Sequence, residues 1–255
     1  MQLTALPALD DNYIWHLAGA DGRWLVVDPG DAAPVLAAAC DGPAPEAILL
    51  THHHGDHVAG VAGLRQRWPQ VPVHGPADAR IEAIVDHVAA DGDRILAGPW
   101  AFEVLAVPGH TASHIAFHGQ GLLFCGDTLF SLGCGRLFEG TPRDMLGALD
   151  RLSALPATTL VCCGHEYTLA NAAFARVVDP DNAALRRRHE EAIAMRHAAQ
   201  PTVPSILAQE LACNPFLRID AAPIRATLAA REPAAGHDRV EAFAALRRWK
   251  DGFRA

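Results

Sequence analysis

The sequence predicts an α/β protein (an α+β mixture of layered sheets and covering helices) that ends in a smaller helical region. Three observations carry this reading. Up to about residue 165, short runs rich in Val, Leu, Ile and Phe alternate with Gly, Pro and Asp turns. Stretches with helical spacing lie between those runs, and mixed elements of this kind pack in layers. Beyond residue 165 the helical spacing continues while the strand signal nearly disappears.

Taken along the chain, "RWLVVDPG" (23–30), "EAILLTH" (46–52), "VPVHGP" (71–76), "AFEVLAVPGH" (101–110), "HIAFHG" (114–119), "GLLFCGD" (121–127) and "TTLVCCGH" (158–165) read as strands. "VAGVAGLRQRW" (58–68) and "TPRDMLGALDRLSAL" (141–155) read as helices between them. Thr141 is the expected N-cap of the second, with Pro142 at its first position. "NAALRRRHEEAIAMRHAAQ" (182–200), "PSILAQELAC" (204–213) and "HDRVEAFAALRRWKDGF" (237–253) form the helical tail, broken by prolines 201, 204, 215, 223 and 233. We therefore expect one region over residues 1–165 and a second over 166–255.

The 255 residues suffice for one large domain or two unequal ones, and their composition is that of an ordinary globular chain. A net charge of −8 argues against a nucleic-acid binder, which needs a basic face. The N-terminal stretch lacks the basic-then-apolar order of a secretory signal, and no apolar run approaches a membrane span. Cys40, Cys125, Cys134, Cys162, Cys163 and Cys213 show no CxxC spacing, so reduced thiols are expected rather than a cysteine zinc site or a disulfide framework. The expected setting is cytoplasmic, the expected state a monomer, with neither membrane nor nucleic acid as partner.

The densest chemistry lies in "THHHGDH" (51–57), four histidines and an aspartate within seven residues. His52 and His54 are two apart on an extended chain, so they face the same side and can grip one cation. Asp56 and His57, at the turn into the next helix, can face a second position, while His53 points away. His110, Asp127 and His165 each follow an apolar strand and a glycine. Sites in open α/β sheets lie beyond the carboxyl ends of strands, so this repeated pattern predicts one convergent site. Asp127 has two oxygens with which to bridge two cations. His16, His53, His74, His87, His114, His118, His189, His197 and His237 lack such a context and read as structural or solvated.

"THHHGDH", "PGHT", "GDTLF" and "CGHEYT", in this order, resemble the metallo-β-lactamase superfamily. "GDTLFSLGCGR", "CGHEYTLANAAFA", "PTVPSILAQELACNPFLR" and the closing "RRWKDGF" resemble its glyoxalase II branch, the hydroxyacylglutathione hydrolases. The likeness covers nearly the whole chain, tail included. It implies a four-layered αβ/βα sandwich followed by a helical domain. It also implies two divalent ions, zinc with iron or manganese as alternatives. His52, His54 and His110 would hold one ion, Asp56, His57 and His165 the other, with Asp127 bridging.

The reaction implied is hydrolysis of S-D-lactoylglutathione to D-lactate and glutathione, the second step of methylglyoxal detoxification. A metal-bound hydroxide held by Asp56 and Asp127 would attack the thioester carbonyl. No G-x-S-x-G nucleophile elbow is present. By the same resemblance, Arg136, Phe138, Tyr167, Arg247 and Lys250 would bind glutathione, whose two carboxylates suit cations. Arg136 stands where the family often has lysine, and Phe138 where many members have tyrosine. A lactonase, β-lactamase or phosphodiesterase on the same fold is disfavoured by the tail. A one-metal sulfur dioxygenase is disfavoured by Asp56, His57 and His165. A non-catalytic metal-binding or redox-sensing protein is disfavoured by the intact substrate tail.

Overall fold

The computed structural model describes residues 1–40, 42–232 and 238–254. Pro233 and His237, read above as a helix breaker and a structural or solvated histidine, lie outside the described residues. The chain forms two compact units. The first comprises Met1–Ala106, Ser113–Gly126 and Cys162–His165, the second Val107–Ala112, Asp127–Val161 and Glu166–Ala255.

In the first unit, β1 (Gln2–Ala8) and β2 (Asn12–Ala18) form an antiparallel hairpin in register from Gln2–Ala18 to Ala8–Asn12. β2 pairs antiparallel with β3 (Trp24–Val27). From β3 the sheet runs parallel through β4 (Ile48–Leu49), β5 (Val73–Gly75) and β6 (His87–Val88). Parallel neighbours need a crossover. α1 (Ala32–Ala39) supplies one between β3 and β4; α2 (Gly55–Val58) and α3 (Val61–Arg67) supply the next. Val26, Ile48 and Val73 pack with Val35, Val61 and Leu64 of α1 and α3, which is why these strands are continuously apolar. A second sheet joins β7 (Arg94–Ala97), β8 (Trp100–Ala106), β9 (Ile115–Gly119) and β10 (Leu122–Gly126) as antiparallel neighbours.

In the second unit, β11 (Leu129–Phe130) and β12 (Gly133–Cys134) make a short hairpin. α4 (Pro142–Ser153) starts with the expected Thr141 cap, completed by Asp144 into a reciprocal capping box. β13 (Leu160–Cys163) ends in the first unit, but its Leu160 and Val161 pair with Ile206 and Ser205 of β14 (Ser205–Ile206). β14 is a short strand within the tail, where the sequence carries almost no strand signal. Two residues are too short to leave a periodic signal, and a helix follows at once. α5 (Thr168–Val178), α6 (Ala183–His197), α7 (Leu207–Cys213), α8 (Ala222–Arg231) and α9 (Arg239–Gly252) complete the unit. Phe174 stacks on Phe216, which meets Phe243 edge-on, so aromatic rings join α5, α9 and the segment after α7. Among the described residues no helix is long and apolar enough to cross a membrane.

Candidate metal centre

Within the first unit, the ends of β4 and β13 bring Asp56, His57 and His165 together. His57 Nε2, His165 Nε2 and Asp56 Oδ2 form a triangle with edges of 3.4, 3.4 and 3.6 Å. Donors about 2.0–2.1 Å from a tetrahedral cation lie roughly 3.3–3.4 Å from one another, so this triangle has the size of one face of a zinc-type sphere. The tautomers agree. His57 Nδ1 is 3.1 Å from Asp28 Oδ2, and His165 Nδ1 is 2.7 Å from Asp11 Oδ1. With each Nδ1–H donated to a carboxylate, both Nε2 atoms present lone pairs beside the Asp56 carboxylate. Three electron-rich atoms in a mostly buried place fit a divalent cation better than they fit one another.

His52 and His54 lie beside this triangle, with His52 Nε2 3.1 Å from His54 Nδ1. That separation has the same sphere-edge size. His52 is fully buried; its ring stacks on His114 and its Nδ1 lies 3.0 Å from Thr51 Oγ1. Asp28 also groups with His52 and His57. Its oxygens, however, accept from the Thr51 backbone N–H at 2.8 Å and the Thr51 hydroxyl at 2.7 Å, besides facing His57 Nδ1. Asp28 is therefore a support behind His57. His53 Nδ1 lies 3.4 Å from Asp78 Oδ2.

In the second unit, His110 Nε2 is 3.3 Å from Asp127 Oδ2, and His110 Nδ1 faces the Arg136 carbonyl at 2.9 Å. The carbonyl can only accept, so His110 also carries its proton on Nδ1 and presents Nε2. Gly135 permits this: a Cβ there would overlap the Asp127 carbonyl oxygen and crowd His110 Nδ1. Gly30 does the same in the first unit, where a Cβ would overlap the Asp56 carbonyl oxygen. Both carboxylate-bearing turns thus rest on close backbone contacts that glycine alone allows.

The expected substrate residues all belong to the second unit. Arg136 and Phe138 are exposed, and the Phe138 ring lies 5.2 Å from that of His110. Tyr167 precedes α5 with its ring edge-on to Phe130 at 5.2 Å. Arg247 is buried, donating to the Cys134 carbonyl at 2.8 Å and pairing with Asp251 at 3.0 Å. It is not the solvated cation that its place on a charged helix suggests. Lys250, half-buried, donates to the Ala170 carbonyl at 3.2 Å. Burial, then the nearby Arg247 and Arg136 charges, lower the Lys250 ammonium to about 8. The Cys134 thiol is pushed up to about 11 by burial, and Cys162 is also raised by burial. Neither is a thiolate nucleophile near neutral pH.

Sequence reasoning missed Asp28, Asp11, Asn12, Gly30 and Gly135. Asp28 had a readable signal, since it follows the apolar strand "WLVV" much as Asp127 follows "LLFCG". Asp11 and Asn12 sit in a polar turn that looks like any other.

Comparison with known proteins gives a consistent picture. Residues 12–165 match the metallo-beta-lactamase superfamily, and residues 166–253 match the family described as hydroxyacylglutathione hydrolase C-terminus. A hydroxyacylglutathione hydrolase of Xanthomonas axonopodis pv. citri (strain 306) is 62% identical over 100% of both chains. One from Xylella fastidiosa (strain M23) is 55% identical over 99% of this chain and 98% of its own. Among solved structures, ETHE1 from Myxococcus xanthus is 26% identical with a TM-score of 0.59, covering 84% of this chain and 99% of its own. The BLEG-1 B3 metallo-beta-lactamase, 24% identical with a TM-score of 0.63 over 85% of this chain and 99% of its own, shares the fold.

Proposed function

The chain belongs to the metallo-β-lactamase superfamily and, within it, to the hydroxyacylglutathione hydrolases, and from that premise we propose how its residues carry the reaction. It is a thiolester hydrolase that cleaves hydroxyacylglutathione to a 2-hydroxy carboxylic acid and glutathione. It carries a divalent metal site built from histidine and aspartate.

In this reading two zinc ions bind, with iron or manganese able to replace them, because imidazole and carboxylate suit all three. Asp56, His57 and His165 hold one; His52, His54 and His110 hold the other; Asp127 is shared. The observation that carries the reading is the triangle of Asp56 Oδ2, His57 Nε2 and His165 Nε2, sized for a cation. When bound, such ions acidify a water and polarise a carbonyl oxygen. Asp56 and Asp127 would hold the attacking water that such ions acidify. The water gives up one proton to solvent as the new C–O bond forms, the C–S bond breaks, glutathione leaves as its thiolate, and the proton of the new acid passes to that thiolate. A thiolate is a good leaving group, so no side chain need protonate the sulfur as it departs.

Residues 1–165 form the catalytic region and 166–255 the glutathione-binding region, a division supported by the two family matches, which meet at 165 and 166. Arg136, Lys250 and Arg247 meet the carboxylates of glutathione, and Tyr167 offers its hydroxyl. Phe138 supplies an apolar surface. Lactoyl is the family's usual acyl group, and the enzyme works as a cytoplasmic monomer. The test offers purified protein S-D-lactoylglutathione, a β-lactam, a lactone and a phosphodiester, with metal content measured in parallel. Turnover of the glutathione thioester far above the others is expected. Preference for any of the others would overturn the substrate assignment.

A further inference from the structure

The β1–β2 turn reaches the Asp56–His57–His165 set through two consecutive side chains. Asp11 Oδ1 lies 2.7 Å from His165 Nδ1. Asn12 Nδ2 donates to Asp56 Oδ2 at 3.0 Å and to the Asp56 carbonyl at 3.2 Å. The turn is itself held in place. The Tyr13 backbone N–H donates to the Gly164 carbonyl at 2.7 Å, and Trp15 Nε1 donates to the Cys163 carbonyl at 2.9 Å. Asn12 also bridges His165 as an antiparallel backbone pair. The hairpin closes on Ala8–Asn12, with Leu9 at φ 51° so that the chain can reverse in so few residues.

The supports behind the histidines differ between the two proposed sets. His165 and His57 are each backed by a carboxylate, Asp11 and Asp28. His110 is backed by a neutral carbonyl, and His52 by a hydroxyl. A carboxylate behind an imidazole fixes its tautomer and makes the metal-facing nitrogen more basic. The amide of Asn12 adds a directional constraint, since one donor holds both the side chain and the backbone of Asp56. We propose that Asp11 and Asn12 are positioning residues for this ion alone, orienting His165 and Asp56 and making their set the stronger cation holder. This rests on the two-ion reading above.

The test measures ions per chain and the affinity of each by chelator competition, with the absorption spectrum of the cobalt-substituted protein as a second readout. The proteins are wild type, Asp11→Ala, Asp11→Asn, Asn12→Ala and, as a control on the same turn, Leu9→Ala. The Asp11 side chain is 41% exposed, so water can take its place at His165 Nδ1 and its loss should leave the fold intact. Asp11→Ala and Asn12→Ala should each weaken one ion by about tenfold to a hundredfold while the other keeps its affinity. Asp11→Asn, which retains an acceptor oxygen without the charge, should restore part of the loss. Leu9→Ala should bind both ions normally. Melting temperatures of the metal-free proteins should match for wild type and the Asp11 variants, which a merely structural role would not give. A wild type with one ion overturns the two-ion reading itself. A wild type with two ions, alongside Asp11→Ala and Asn12→Ala proteins that hold both as tightly, overturns this inference alone.

Discussion

The buried Asp28 carboxylate faces His57 Nδ1 at 3.1 Å while accepting both the backbone N–H and the hydroxyl of Thr51. One side chain thus ties the end of β3 to the turn that carries the histidine cluster. Asp28→Ala would leave the two Thr51 donors and His57 without that acceptor in a dry place. A buried donor left without an acceptor costs about 1–3 kcal/mol, so urea denaturation should show a loss of at least that size. Asp28→Asn, which keeps one accepting oxygen, should lose less. Equal stability of Asp28→Ala and wild type would show that the contact is idle.

Gly30 and Gly135 should be intolerant of a methyl group. At each, a Cβ would collide with the carbonyl of a proposed ligand, Asp56 or Asp127. At Gly121 a Cβ meets nothing within 4 Å, although φ is +77°. Gly121→Ala should therefore cost only about 1 kcal/mol of backbone strain. Gly30→Ala and Gly135→Ala should lose both more stability and metal. Thermal melts and metal analysis of the three variants check the order, and normal metal content in Gly30→Ala would contradict it.

Lys250 links substrate affinity to pH. Its ammonium is held near 8 by burial, below the ordinary 10.5, with Arg247 and Arg136 adding repulsion and Asp251 opposing them. The cation is present below about 8 and is lost as pH rises through it. If it meets a glutathione carboxylate, KM should climb above pH 8 in the wild type. Lys250→Ala should start with a KM about tenfold to a hundredfold higher and show no such climb, since a charged hydrogen bond contributes roughly 1.5–3 kcal/mol. Rising salt should weaken wild type more than this variant. Arg247→Ala should also destabilise the fold, because its guanidinium bonds the Cys134 carbonyl and lies over the Phe216 ring. An unchanged KM in Lys250→Ala would remove the tail from the substrate site.

Asp127 and His53 make opposite cases. Asp127→Ala should lower the occupancy of both ions, because its two oxygens are assigned to both. His53→Ala should leave metal content unchanged, since its ring faces Asp78. Elemental analysis of the two variants decides. A loss in His53→Ala as large as in His54→Ala would contradict the ligand assignment.

Much of the architecture was legible because its signals are local. Every one of the seven strand-like runs contains a strand, since four or five apolar residues between Gly, Pro and Asp leave few other options. The cap at Thr141 was legible for the same reason. The β1–β2 hairpin was not, because Pro7, Asp10 and Asp11 interrupt its alternating pattern. The ligand candidates could be read from residue type and strand ends. Their supports could not, because Asp11 meets His165 across 154 positions, a separation that no spacing rule reports. The burial of Arg247 escaped for a similar reason. "RRWK" looks like a wet helix face until Cys134, Phe216 and Asp251 enclose its first arginine.

Anomalous diffraction from crystals of the zinc-loaded protein locates the ions themselves. A zinc peak is expected about 2.0–2.2 Å from Asp56 Oδ2, His57 Nε2 and His165 Nε2. A second peak should be bound by His52, His54 and His110, with Asp127 touching both. A zinc-loaded crystal with no peak on the Asp56–His57–His165 triangle would contradict the ligand assignment.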